Sequence, residues 1–234
     1  MTLGEIKIEL IQKSIRNVHL SVLPPHGRVR IAAPLHLSKE TIRLYAISKL
    51  SWIKKQQKKI RGQARESKRE FVNKETHYFQ GRKYLLRIIE EDSPAKVVLH
   101  KRHMSLHVRS YMTTAQRQQV LDKWYRAQLK LQVHDLIEKW QKTIPVKVSS
   151  FGIKKMKTKW GTCNIEARRI WINLELAKKP LECLEYIVVH EMVHLLERRH
   201  SDRFWAYMKK YIPSLKQRAE ELNKLPIGHS DWGY

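Results

Sequence analysis

His190-Glu191-Met192-Val193-His194-Leu195-Leu196-Glu197-Arg198-Arg199-His200 is the stretch on which the reading of this chain turns. It has the form H-E-x-x-H followed by a third histidine. On a helix, residues four apart leave the same face, so the imidazoles of His190 and His194 can reach one ion. Zn²⁺ accepts such nitrogen ligands and, in catalytic sites, keeps one coordination position open. Glu191 stands beside the first ligand, where a carboxylate can take a proton from a water at that position.

Geometry decides what His200 can do. A helix continued to His200 would carry its Cα about 15 Å along the axis from His190, too far to share an ion. The helix is therefore expected to stop just after His194. Arg198 and Arg199 place positive charge where the last carbonyls point. Ser201 and Asp202 are N-cap types that can start a new helix at once. His200 falls in the joint, free to turn back as a third ligand. The spacing equals that of H-E-x-x-H-x-x-G-x-x-H, but Glu197 replaces the turn glycine, so the chain is not read as a metzincin. The run Leu184-Glu185-Tyr186-Ile187-Val188-Val189 before the motif is apolar enough for a buried helix. In such a helix, imidazoles without a partner would be costly. Pro180 opens it at a position where proline is tolerated.

Outward from this stretch, 234 residues of 42% hydrophobic composition can bury a proper core. Lys and Arg number 47 against 22 Asp and Glu, a formal charge of +25. Residues 1–150 hold 31 basic and 12 acidic residues (+19), and residues 151–234 hold 16 and 10 (+6), so the excess lies mostly away from the histidine motif. Such a field favours a polyanionic partner, here expected to be nonspecific nucleic acid or nucleotide; a solvated basic surface is the plain alternative. Cys163 and Cys183 are not in C-x-x-C spacing and give no disulfide framework. No apolar leader and no long apolar run is present, so no membrane span is expected and the cytoplasm is the expected location.

Along the chain, Ile6, Ile8 and Leu10 alternate with polar neighbours, as do Val18, Leu20 and Val22, then Val29, Ile31 and Ala33. Pro24-Pro25-His26-Gly27 predicts a turn, making residues 16–33 a hairpin. Ser38 caps a helix whose inner stripe is Ile42, Tyr45, Ala46, Leu50 and Ile53, with Leu37 and Ile42 as a hydrophobic staple. It runs out into Lys54, Lys55, Lys58, Lys59, Arg61, Arg65, Lys68 and Arg69, a phosphate-contacting patch or a solvated helix end. Residues 71–109 read as short strands with a turn at Gln80-Gly81-Arg82. Thr113 and Gln116 fit a capping box opening a helix to about Lys142, with Val120, Trp124, Leu131, Leu136 and Ile137 among its apolar positions. A strand is expected at Val146–Ile153, a tight turn with close backbone packing at Trp160-Gly161, and a strand at Arg169–Leu174. No sequence repeat appears. The expected division is 1–70, an N-terminal hairpin and basic helix, and 71–234, the metal-site domain, or one continuous domain.

Several pieces taken together, Lys159-Trp160-Gly161-Thr162-Cys163, Asn173-Leu174 with Pro180, Leu184 to Glu191 with His194, and His200-Ser201 with Phe204-Trp205, resemble the YgjP-like metallopeptidase family, related to SprT-like zinc proteases. Lys159 and Thr162 depart from the Arg and Ser common there, and neither is a ligand. The resemblance implies an α+β fold: a strand-rich N-terminal region, then a helical zincin-like core with a small sheet. It implies His190, His194 and His200 as Zn²⁺ ligands, Glu191 as the catalytic acid/base, and a peptide or protein substrate. Tyr207 and Tyr211 are candidate oxyanion donors. Two alternatives stand beside it. One is a metal-dependent nucleoside triphosphate pyrophosphohydrolase, whose Lys and Arg would hold phosphates. The other is a nucleic-acid-binding module with a structural zinc, closed by a fourth ligand such as Cys163, Glu220 or His229.

Overall fold

A computed structural model of the chain describes residues 1–23, 26–62, 69–156 and 159–224. They fall into two compact units, one within residues 1–65 and one within 66–229.

The first unit is a four-stranded sheet covered by two helices. Its strands are β1 (Thr2–Leu3), β2 (Ile6–Lys13), β3 (His19–Leu23) and β4 (Arg28–Pro34), in the order β1-β2-β4-β3. The chain leaves β2, lays down the far edge β3, and returns between them, so β2 and β4 run parallel and β3 pairs antiparallel with β4. Alternation sets the faces: Ile6, Ile8, Val29, Ile31 and Ala33 are buried on one side. On the other, register partners Glu9 and Arg30 form a two-pronged ion pair at 3.1 and 3.2 Å. Ser38 caps α1 (Lys39–Ser48) by accepting from the Thr41 amide. The expected single helix is instead broken at Lys49, whose φ of −101° and ψ of 7° leave helical geometry before α2 (Leu50–Gly62) begins. Both halves still direct Ile42, Ala46 and Ile53 into the sheet. Pro24 and Pro25 of the expected turn, and residues 63–68 of the basic run, lie outside the described residues.

The second unit repeats this strand pattern, although the sequence shows no repeat. Strands β5 (Thr76–Phe79), β6 (Arg82–Glu90), β7 (Lys96–Leu99) and β8 (His103–Val108) lie in the order β5-β6-β8-β7, with β6 and β8 parallel. Helix α3 (Thr114–Gln141) follows, opened by the capping box of Thr113 and Gln116. Its core stripe is Leu121, Tyr125, Leu129, Val133, Leu136 and Ile137, whereas Leu131, another of its apolar positions, is exposed. Val120 and Trp124 pack half-buried along the flank.

A three-stranded sheet comes next: β9 (Ser150–Lys154), β10 (Gly161–Asn164) and β11 (Arg169–Asn173), ordered β10-β11-β9, which leaves β10 at an edge. The strand expected from Val146 starts only at Ser150. The Val148 amide is spent on the Gln141 side chain at the end of α3, so that stretch closes the helix and adds nothing to the sheet. A 3₁₀ turn (Leu174–Lys178) leads into α4 (Leu181–Val193), α5 (Asp202–Tyr211) and α6 (Leu215–Lys224). The architecture is thus mixed α+β, with three small sheets and six α-helices among the described residues. None of these helices is long and apolar enough to cross a membrane.

Candidate active site

Helix α4 is the centre of the unit, with Cys183, Leu184, Ile187, Val188, Val189, Met192 and Val193 all buried. It ends where expected. His194 is its C-cap, and a turn leads through Glu197 to the joint before Ser201, which caps α5 by accepting from the Phe204 amide. The glycine of the longer motif is not needed here. Glu197 is absent from the residues with positive φ, and its carboxylate accepts from the Arg199 amide at 3.2 Å, bracing the turn from within.

The three imidazoles converge. One ligating nitrogen from each of His190, His194 and His200 lies within 4.8 Å of the others, and Nε2 of His200 is 3.0 Å from Nε2 of His190. Tetrahedral Zn–N bonds of about 2.0–2.1 Å separate ligand nitrogens by roughly 3.3 Å, a spacing that the His190–His200 pair approaches. The donors suit such an ion chemically too. Burial, then His194 and His200, pull the pKa of His190 down to about 3, and burial lowers that of His194, so both rings are held in the neutral form that binds metal. Nδ1 of His194 lies 3.2 Å from the Glu197 carbonyl, which leaves its Nε2 lone pair for an ion. Nδ1 of His190 is buried with no hydrogen-bond partner among the described residues.

Phe204, fully buried, is the wedge behind the cluster, with ring centroids 4.9, 4.7 and 4.7 Å from His190, His194 and His200. Trp205 stacks on His200 at 5.7 Å. His200 is exposed at the joint, and these two rings fix the angle at which it returns.

Glu191 points away from the histidines' back wall and into a cleft of about 590 Å³ that also exposes His190, His194 and His200. Edge strand β10 forms one bank, α4 the floor, and Ala219 and Leu222 of α6 the far bank. Glu191 is 5% exposed, and burial raises its pKa to about 8, partly opposed by Lys159. The tight turn expected at Trp160-Gly161 is absent: Gly161 opens β10 in extended backbone. The close packing is present and has a specific object. A Cβ on Gly161 would stand 2.6 Å from Glu191 Oε1 and 2.8 Å from its Cγ.

Other candidates separate. Cys163 lines the cleft, but burial and Glu191 push its thiol up to about 11, and it lies outside the histidine cluster. Glu220 is exposed on α6 and also outside the cluster, and His229 lies outside the described residues. Tyr207 and Tyr211 stack on each other and neither lines the cleft; Arg203 donates to the Tyr207 hydroxyl. Tyr186 lines it instead, one turn before His190, and that i−4 spacing was a readable signal.

Two supports stand in the stretches that carry the family resemblance, but the sequence does not name their partners. Asn173, 4% exposed, donates to the carbonyls of Met156 and Lys159 and accepts from the Met156 and Glu175 amides, which fixes the loop feeding β10. Glu185 accepts from Lys139 (2.7 Å), Trp140 (3.1 Å) and Arg218 (2.7 Å), joining α3, α4 and α6 at one carboxylate.

The sequence matches the YgjP-like metallopeptidase domain over residues 16–225, and the chain belongs to that family. No curated protein matches significantly. Among solved structures, it is similar to the metallopeptidase zymogen abylysin of Pyrococcus abyssi, at 22% identity and a TM-score of 0.36, over 38% of this chain and 90% of that one. It is also similar to the zymogen jannalysin of Methanocaldococcus jannaschii, at 19% identity and a TM-score of 0.34, over 40% and 92%.

Proposed function

We propose that this member of the YgjP-like family is a zinc-dependent peptidase of zincin-like design, in which His190, His194 and His200 hold Zn²⁺ and Glu191 is the general base. The observation that carries the reading is the meeting of three imidazoles with a buried carboxylate in one cleft. Zinc held there supplies a Lewis acid and lowers the pKa of a water in the open position.

The chain's own residues account for the rest. A pKa near 8 means that the cleft's own residues make ionising Glu191 cost about 5 kcal/mol relative to water, at 1.36 kcal/mol per pH unit. With a divalent cation held by His190, His194 and His200, Glu191 would be in its basic form at neutral pH. Glu191 then takes the proton from the attacking water and passes it to the leaving amine. Among the described residues edge strand β10 pairs with β11 on one side alone, so its other backbone edge can hold an extended peptide along the cleft.

The structural-zinc alternative needs a fourth ligand, and the cluster has three His/Cys/Asp/Glu members among the described residues. The pyrophosphohydrolase alternative needs cations for three phosphates, and the cleft lining includes Lys159 and Arg198. Nonspecific nucleic-acid association remains a separate proposal for α2. Lys54, Lys55 and Lys58 are exposed there and make no ion pair among the described residues. Arg69, expected in the same patch, is instead 3.6 Å from Glu75.

The test is Glu191→Gln with metal analysis. The variant should keep its zinc and lose roughly 10²–10⁴-fold in peptide hydrolysis, the usual share of general-base help. Hydrolysis at the wild-type rate would sink the assignment of Glu191.

A further inference from the structure

The cleft has a charge pattern that the proposed chemistry does not use. Apart from the three histidines and Glu191, its ionisable lining among the described residues consists of Lys159, Arg198, Cys163 and Tyr186. Burial raises the pKa of both Cys163 and Tyr186, so neither brings negative charge. Lys159 and Arg198 bring positive charge, both are exposed, and neither forms an ion pair with a carboxylate among the described residues. They stand on different elements. Lys159 precedes β10 in the loop that Asn173 anchors through the Lys159 carbonyl at 2.7 Å, and Arg198 lies in the turn between His194 and His200. Beside α4, by contrast, Glu185 takes Lys139 and Arg218, and Glu175 takes Lys178 at 2.8 Å. Two unmatched cations facing one cleft mark where an anionic group of the substrate would sit.

We propose that Lys159 and Arg198 select peptides with a carboxylate close to the scissile bond. This deepens the peptidase reading and rests on it. A peptide laid along β10 passes Lys159 where the strand begins, and Lys159 is near enough to Glu191 for its charge to act on that carboxylate. The carboxylate can belong to an Asp or Glu side chain or to a peptide C-terminus, since the recognised chemistry is the same. Both cations are solvent-exposed, so each contributes at the modest scale of surface ion pairs, and screening by salt weakens both.

Binding tests this separately from turnover. Labelled peptide pairs, Glu against Gln at each position in turn and free acid against C-terminal amide, are titrated by anisotropy against zinc-loaded Glu191→Gln protein. At low salt the carboxylate member of one pair should bind between about threefold and tenfold tighter. The preference should fall toward one with added salt, and also in the Lys159→Gln/Arg198→Gln background. A Glu-to-Gln difference identifies a side-chain carboxylate, and an acid-to-amide difference a C-terminal one. Equal binding within every pair, or a preference that survives both substitutions, overturns the proposal. If either substitution prevents folding, the salt dependence of the Glu191→Gln protein decides alone, and a preference unmoved by salt overturns it. Selective binding without cleavage of any peptide by the zinc-loaded wild type would remove the peptidase reading and leave an anion-selective cleft.

Discussion

Gly161→Ala isolates the positioning of Glu191 from its chemistry. The added Cβ would lie 2.6 Å from Glu191 Oε1, 2.8 Å from Cγ and 3.0 Å from Cδ. Ordinary carbon–oxygen contact is near 3.5 Å, so the carboxylate must withdraw by nearly 1 Å or β10 must shift. Gly161 is not among the positive-φ residues, so alanine adopts this backbone without strain, and the fold is expected to survive. A displacement of about 1 Å at a reacting group is worth roughly 10²-fold, so kcat should fall by about that factor. KM should change far less, because the methyl presses on Glu191 and not on the substrate's flanking residues. Zinc content, measured by atomic emission, should stay near that of the unchanged chain. A coupling check follows: in a Glu191→Asp background, whose carboxylate is already withdrawn, Gly161→Ala should cost much less. Wild-type kcat in Gly161→Ala would refute the reasoning. So would an equal loss in both backgrounds, since the glycine would then act on something other than Glu191.

His200→Ala should lower zinc affinity markedly while the fold persists, because Phe204 stays buried behind the remaining pair; unchanged affinity in a chelator competition would place the third ligand elsewhere. His77 is 3% exposed, and its pKa is lowered to about 4, first by burial and then by Arg69. A histidine depressed in the folded state adds stability above pH 6.5 that is lost as pH falls toward 4, about 3 kcal/mol at 1.36 kcal/mol per unit. Urea titrations of His77→Leu across that window should show a flatter decline than the parent, and parallel curves would refute it. Changing Lys54, Lys55 and Lys58 to Glu should weaken nucleic-acid binding and flatten its slope of log affinity against log salt without altering zinc content. No binding by the parent at low salt would leave those lysines as solvated surface.

What could be read from the chain follows the range of the forces involved. The end of α4 at His194, the cap at Ser201 and the return of His200 are set by neighbours within a few residues, so spacing alone exposes them. The same holds for the Ser38 and Thr113 caps and for the alternation that buries Val29, Ile31 and Ala33. Lys49 breaks the first helix although nothing in its identity forbids helix, so no local signal announces the break. Glu185, Asn173 and the α6 wall are joined to their partners across 14 to 46 residues, and no local pattern carries such information. Gly161 lies between these cases. Its position advertises close approach, but only the folded chain reveals that the approaching group is Glu191.

The repeated strand pattern shows how a common arrangement can be turned to one site. In both sheets a two-residue turn joins the first edge strand to the second strand, and a glycine with positive φ sits in each: Gly4 at +57° and Gly81 at +77°. At Gly4 nothing among the described residues approaches within 4 Å of where a Cβ would lie. At Gly81 that position is 2.8 Å from Pro180, the N-cap of α4, and the amides of Gln80 and Gly81 donate to the carbonyls of Ala177 and Lys178. A turn that only reverses the chain in the first unit therefore grips the start of the metal helix in the second. The helix is held at its origin by this clamp, in its middle by the contacts of Glu185, and at its end by the Glu197 turn. His190, His194 and Glu191 lie between the last two of these supports. A side chain at position 81 would press on Pro180 at the start of the helix that carries His190, Glu191 and His194, without touching any of the three.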